Sequence, residues 1–233
     1  MMKRIIALLV LFVLAFSVSA QADSFNAEHA MAFMEITFTC GCSRVGTGAM
    51  IGRRGLVTAA HNLFCPEHGK EQKSCSFAFG SKSVNSAWYR YSGKYSYYAY
   101  DTFRNGYDSE YDIGYVVFDK PVGDETGYFG WIVGNDYDLA WEYVNVYAYT
   151  NKGKMDSLFV QEEVLNDREV YWNGYLGYSD GGPVVINCGD GNGKEADYRV
   201  VAVYTSHDSS GNGYGRRLTM NVINDMRAAG AFN

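Results

Sequence analysis

The stretch "GTGAMIGRRGLVTAAHN", Gly46 to Asn62, decides the architecture. Thr47 to Ile51 and Gly55 to Thr58 are short apolar runs, and Gly52-Arg53-Arg54-Gly55 between them supplies a tight turn. This is the grammar of two antiparallel strands joined by a hairpin. The second run ends on Ala59-Ala60-His61. Small residues beside the histidine let an imidazole reach a cleft without crowding. The bland reading of His61 is a loop histidine that hydrogen-bonds the backbone; the other is a general base, because imidazole titrates near neutral pH.

The same grammar extends along the chain. Strands are expected at Met34–Thr39, Ser76–Phe79, Ala87–Tyr91 and Ile113–Phe118, the last a continuous apolar run that reads as buried. Asp119 to Tyr137 is turn-rich with no convincing strand, and a subdomain boundary is placed there. Beyond it come Tyr143–Tyr149, Ser157–Glu162, Val184–Asn187, Tyr198–Thr205 and a last strand near Arg217–Thr219. Asn221 to Ala229 then reads as a helix with Val222, Ile223 and Met226 on one face. Twenty tyrosines and 26 glycines against 3 prolines fit many short strands joined by turns. The fold class is all-β: two antiparallel β-barrels with a short C-terminal helix.

Lys3-Arg4, the apolar run Ile5–Phe16 and the small residues through Ala22 make residues 1–22 a secretory signal peptide. Residues 23–32 are expected to be a short pro-segment, 33–122 the first barrel and 123–233 the second barrel with the helix. A secreted or periplasmic protein follows, free of the membrane once the signal is removed. The net charge of −6 argues against a nucleic-acid partner.

Export makes disulfides expected among Cys40, Cys42, Cys65, Cys75 and Cys188, and five is an odd number. A zinc set drawn from Cys40, Cys42, Cys65, His68 and Cys75 competes. The Cys-x-Cys spacing is tighter than usual for structural zinc, so no metal and no cofactor are assigned. "CGDGNGKEAD", Cys188 to Asp197, lacks the spaced Gly and terminal Glu of a calcium loop and reads as a hairpin turn.

A histidine base needs a carboxylate to hold its tautomer, and Asp112 heads the buried strand Ile113–Phe118. Three blocks then stand in order: "GTGAMIGRRGLVTAAHN", "YDIGYVVFDKPVGDETGYFGW" (Tyr111–Trp131) and "GGPVV" (Gly181–Val185). Together they resemble the chymotrypsin-like serine proteases, with chain order His, Asp, Ser. The "DKP…TGYFGW" continuation and the ending "VVAVYTSH…GRRLTMNVIN" are similar to the bacterial glutamyl endopeptidase branch. The resemblance covers about Thr47 to Ile223. It implies a serine endopeptidase acting on protein or peptide substrates as a monomer, with His61 as base and Asp112 as its orienting group.

The serine block, "GYSDGGPVV" at Gly177–Val185, departs from the family's Gly-Asp-Ser-Gly-Gly-Pro. Two registers follow. Counted forward from Gly177, Ser179 is the nucleophile, and the N–H groups of Gly177 and Ser179 form the oxyanion hole, with Asp180 as one added residue. Counted backward from Pro183, the nucleophile's place falls on Asp180, the hydroxyl is absent, and the protein is an inactive protease-like binding module. The forward register keeps a hydroxyl and the required glycine, and is preferred at this level. The resemblance places the specificity pocket at Tyr204, Thr205 and Ser206, with Tyr204 where that branch carries a histidine. Arg216 and Arg217 could attract an acidic substrate group, although paired arginines are more often a solvated face.

Overall fold

The computed structural model describes residues 26–80, 84–134, 142–177, 180–188 and 197–233. In chain order the first half contains β1 (Met31–Phe38), β2 (Ser43–Met50), β3 (Gly55–Thr58), β4 (Phe64–Cys65), β5 (Lys70–Phe79), β6 (Tyr89–Tyr91), β7 (Tyr95–Ala99), helix α1 (Asp101–Gly106) and β8 (Gly114–Phe118). The short helix α2 (Gly123–Thr126) leads to β9 (Gly130–Trp131), β10 (Tyr143–Tyr149), β11 (Met155–Val164), β12 (Glu169–Asn173), β13 (Pro183–Asn187), β14 (Tyr198–His207), β15 (Asn212–Arg217) and helix α3 (Met220–Ala228).

The strands form two antiparallel barrels. The first runs β4-β5-β1-β2-β3-β8-β7, with β6 on β5, and is nearly closed. The second runs β13-β10-β11-β12-β15-β14 and closes through β13–β14 pairing, with β9 added parallel to β14. This is the chymotrypsin-like architecture.

The first barrel is filled from alternate faces of its strands, as a half-buried pleat requires. Phe77, Phe118 and Tyr91 pack edge-on or tilted, with Phe77–Phe118 and Tyr91–Phe118 centroids 5.0 and 4.8 Å apart. Each such buried ring contributes roughly 1.5–3 kcal/mol relative to exposure. All five residues of β8 are buried, as its unbroken apolar run implies. Helix α3 is capped by Thr219, whose hydroxyl oxygen accepts from the Val222 N–H at 3.4 Å. It buries Val222, Ile223 and Met226 in the core that holds the first barrel.

Several boundaries differ from the sequence expectation. β1 starts at Met31, within the stretch assigned to a pro-segment, because Met31 and Ala32 are fully buried and pair with Ala49 and Gly48. The last strand is Asn212–Arg217, earlier than expected, since Gly213 and Gly215 hid it among turn residues. The Asp119–Tyr137 stretch does contain a strand, the two-residue β9, too short to show a period. β7 and β12 were missed altogether. None of the five cysteines is joined to another in the structure. The signal-peptide segment lies outside the described residues. Most of the 188–197 segment does too, although β13 and β14, which flank it, pair antiparallel as a hairpin would.

Candidate functional site

The site sits between the barrels and is assembled from three turns. β3 ends at Thr58, and Ala59 leads into a single 3₁₀ turn, Ala60–Asn62, that carries His61. Ala59 and Ala60 are fully buried, so the backbone runs close to the core and the imidazole points into the cleft between the barrels. Asp112 closes another 3₁₀ turn, Ser109–Tyr111, just before β8. Because β8 pairs with β3, the two turns lie side by side.

Asp112 holds His61 with both carboxylate oxygens. Oδ1 accepts the His61 backbone N–H at 2.9 Å, and Oδ2 lies 2.7 Å from Nδ1. Asp112 is 7% exposed, so this contact is little screened. Burial works against a charged ring, yet the charge of Asp112 and its hydrogen bond outweigh it, and the His61 pKa is raised. The pair fixes Nδ1 as the protonated nitrogen and leaves Nε2 facing the cleft.

The third turn places the Asp180 carboxylate on the side of that nitrogen. Asp180 Oδ2 lies 3.6 Å from His61 Nε2. That is ion-pair range, too long for a tight hydrogen bond. Burial lifts the Asp180 carboxyl to about 6, with His61 pulling it down and Asp112 pushing it up.

The position of Asp180 is set by its backbone. Its carbonyl accepts the Thr47 N–H at 3.0 Å and Asn62 Nδ2 at 2.9 Å. The next residue, Gly181, donates its N–H to the Tyr204 carbonyl at 2.6 Å, and the Tyr204 N–H returns to Gly182 at 2.8 Å. Gly181 has φ +99°, and a Cβ there would fall 2.3 Å from the Thr47 carbonyl, so only glycine fits. The turn is thereby pinned to β2 on one side and β14 on the other, in register with Pro183. Tyr178 and Ser179 lie outside the described residues, and Gly177 is half-buried just ahead of them.

Of the pocket candidates, Tyr204 is fully buried, and its hydroxyl donates to the Leu176 carbonyl at 2.9 Å. His207 stacks on Tyr175 with centroids 4.5 Å apart. Thr205 lines the cleft, which encloses about 310 Å³ together with Arg44, Phe103, Tyr107 and Asp180. Ser206 is half-buried on the same strand. A depression of about 390 Å³ beside Arg53, Tyr128 and Trp131 is larger but does not include His61. Volume alone therefore does not point to the site; the paired titratable groups do.

Arg216 and Arg217 are not a solvated face. They are 3% and 5% exposed, with Arg216 paired to Glu169 and Arg217 donating to the Asn166 and Gly134 carbonyls at 2.8 Å. Sequence reasoning missed Asn62, Thr47 and Thr58, the polar cluster behind Asp180. Thr58 Oγ1 donates to the Thr47 carbonyl at 2.7 Å and accepts from Asn62 Nδ2 at 3.0 Å. The signal was present: two threonines inside buried strands and an asparagine directly after His61.

No protein-family model matches the chain. Among curated proteins, the "Extracellular metalloprotease" of Bacillus subtilis (strain 168) is 24% identical over 193 residues. That alignment takes in 81% of this chain and spans 58% of the relative's length. The solved structure of Glu endopeptidase in complex with MPD superimposes with TM-score 0.66 at 17% identity, covering 90% of this chain and 94% of that one. The scabies mite inactivated protease paralogue S-I1 gives TM-score 0.65 at 13% identity, covering 90% and 98%. At these identities the likeness shows the fold.

Proposed function

We propose that this chain is an exported protease-fold protein that binds extended peptide segments in the His61 cleft without cleaving them. The observation that supports this is Asp180 Oδ2 standing 3.6 Å from His61 Nε2, where acyl transfer needs a hydroxyl. A carboxylate has no proton for the imidazole to remove. If it attacked a peptide carbonyl it would form a mixed anhydride, a species far more reactive than the amide it replaced. Two carboxylates beside the ring favour its protonated form, which weakens it as a base. Export rests on the leader-like residues 1–22. The partners are protein or peptide segments, met by a monomer whose first barrel spans residues 33–122 and second barrel 123–233. On the second barrel Thr205 and Ser206 form the wall that receives a side chain of the bound segment, with the buried Tyr204 behind them.

A second reading is a serine endopeptidase in which Ser179 attacks, His61 takes the proton, Asp112 orients the ring, and the N–H groups of Gly177 and Ser179 receive the oxyanion. The observation that favours it is the doubly hydrogen-bonded His61–Asp112 pair, the geometry a working base requires. A fluorophosphonate probe separates the two readings. The binding reading expects no labelling of the folded chain and saturable binding of a fluorescent peptide pool, displaced by unlabelled peptides. Labelling at Ser179 that disappears in His61→Ala, together with peptide hydrolysis, overturns it in favour of the endopeptidase.

A further inference from the structure

Two hairpin turns beside the first barrel bring three thiols and an imidazole to one point. β1 and β2 are joined by Thr39-Cys40-Gly41-Cys42, closed by hydrogen bonds from the Phe38 N–H to the Cys42 carbonyl and from the Gly41 N–H to the Phe38 carbonyl, both 2.9 Å. Gly41 has φ +89°, the sharp bend that returns Cys42 beside Cys40. β4 and β5 are joined by a turn in which the Gly69 N–H donates to the Cys65 carbonyl at 2.9 Å, placing His68 three residues after Cys65. The turns are tied together by the Thr39 N–H donating to the Glu71 carbonyl at 3.0 Å.

The ligand-type atoms of Cys40, Cys42, Cys65 and His68 all lie within 4.8 Å of one another. His68 Nδ1 is 3.4 Å from Cys42 Sγ and 3.7 Å from Cys65 Sγ. A tetrahedral zinc with ordinary Zn–S and Zn–N bonds sets sulfur–nitrogen edges of roughly 3.5 Å and sulfur–sulfur edges of roughly 3.8 Å. The observed separations bracket the first value and exceed the second by about 1 Å at most, an adjustment within side-chain reach. A disulfide uses two sulfurs and leaves the third thiol and the imidazole without a role. A metal uses all four.

We propose that Cys40, Cys42, Cys65 and His68 form a structural Cys₃His zinc site that clasps the β1–β2 and β4–β5 turns. Three thiolates and an imidazole are the soft, four-coordinate set that suits zinc, and it is filled by protein ligands with no position left open for a reacting water. Each thiol that ligates releases its proton to solvent, and no electron is transferred. The fourth and fifth cysteines stand apart. Cys75 is buried opposite Ile36, and Cys188 is exposed at the end of β13. The site sits behind the cleft. Between Cys65 and His68 lie Pro66, which lines the cleft, and Glu67, 3.7 Å from Arg44, whose Nη1 donates to the His61 carbonyl at 3.2 Å. The clasp thus braces the segment that carries the candidate base, whatever the cleft does to a peptide.

Metal content of the full chain, purified without added metal or chelator, tests this. The expected result is one zinc per chain, lost in Cys42→Ser and in His68→Ala and retained in Cys75→Ser and Cys188→Ser. Should the ligand variants fail to fold, the native chain is stripped with a chelator and refilled with cobalt(II). The intense visible absorption of a tetrahedral thiolate complex should then grow to one equivalent, while Cys40, Cys42 and Cys65 become protected from alkylation. A substoichiometric metal content with a disulfide among those three cysteines overturns the proposal. So does a weak octahedral cobalt spectrum, or one equivalent of a different metal.

Discussion

Asp112 meets His61 at Nδ1, 2.7 Å away, and at the backbone N–H, 2.9 Å away, while on the Nε2 side Asp180 stands off at 3.6 Å. The first arrangement is built within one barrel, by two turns whose strands are hydrogen-bonded neighbours. The second crosses from one barrel to the other and depends on how the Asp180–Pro183 turn is threaded between β2 and β14. A contact inside one sheet inherits its geometry from strand register. A contact between sheets is decided by whichever backbone groups can be satisfied at the seam. Here Thr47, Asn62 and Tyr204 satisfy them, and the Asp180 carboxylate is left 3.6 Å from the imidazole.

On the binding reading, the largest effect should come from placing a hydroxyl at position 180. Asp180→Ser is expected to gain fluorophosphonate labelling at residue 180, at least about 10²-fold faster than the parent, the scale of a positioned general base. The gain should vanish when His61→Ala is added. Labelling unchanged from the parent would show that Asp180 does not occupy the nucleophile's place.

The two sides of the ring should also differ in how strongly they hold its proton. Asp112→Asn and Asp180→Asn should both lower the His61 pKa, read by imidazole NMR, with Asp112→Asn lowering it more. Equal shifts would mean that the two carboxylates are equivalent, against their geometry. Next comes the pin behind the turn. Asn62→Ala removes a donor to the Asp180 carbonyl and should cost about 1–3 kcal/mol in denaturant unfolding, the scale of a lost buried hydrogen bond. A loss near zero would mean that the seam does not hold Asp180.

The gentlest effect concerns pH. The Asp180 carboxyl is raised to about 6 in the folded chain, above its ordinary 3.8, so the unfolded state loses this proton first. Its contribution to stability is full below about 4 and declines as pH rises toward 6. Asp180→Asn should flatten the fall in Tm over that window and leave it unchanged below it. Asp112, on the other side of the ring, is the contrast, since Asp112→Asn keeps one acceptor oxygen but loses the other and the charge, and should lower Tm at neutral pH.

Much of this was legible in the chain. β3 and β10 fall where the sequence places them, and β8 does so within one residue, because β3 and β8 are buried on both faces and β10 alternates buried and part-exposed positions. His61 and Asp112 stand out because each sits at the end of such a strand. β7, β12 and β15 were hidden because their tyrosines, charged residues and glycines lack a clean alternation, and pairing with neighbours makes them strands. Arg216 and Arg217 read as surface residues until their carboxylate and carbonyl partners are in view.

The sequence by itself determined the two-barrel architecture and the His61–Asp112 candidates, because strand periodicity and the residues at strand ends are local properties. Tertiary structure alone brought the Asp180 carboxylate within 3.6 Å of the imidazole. It also decided which cysteines meet His68. Both depend on segments far apart in the chain being brought together by sheet register, a distance no local pattern encodes.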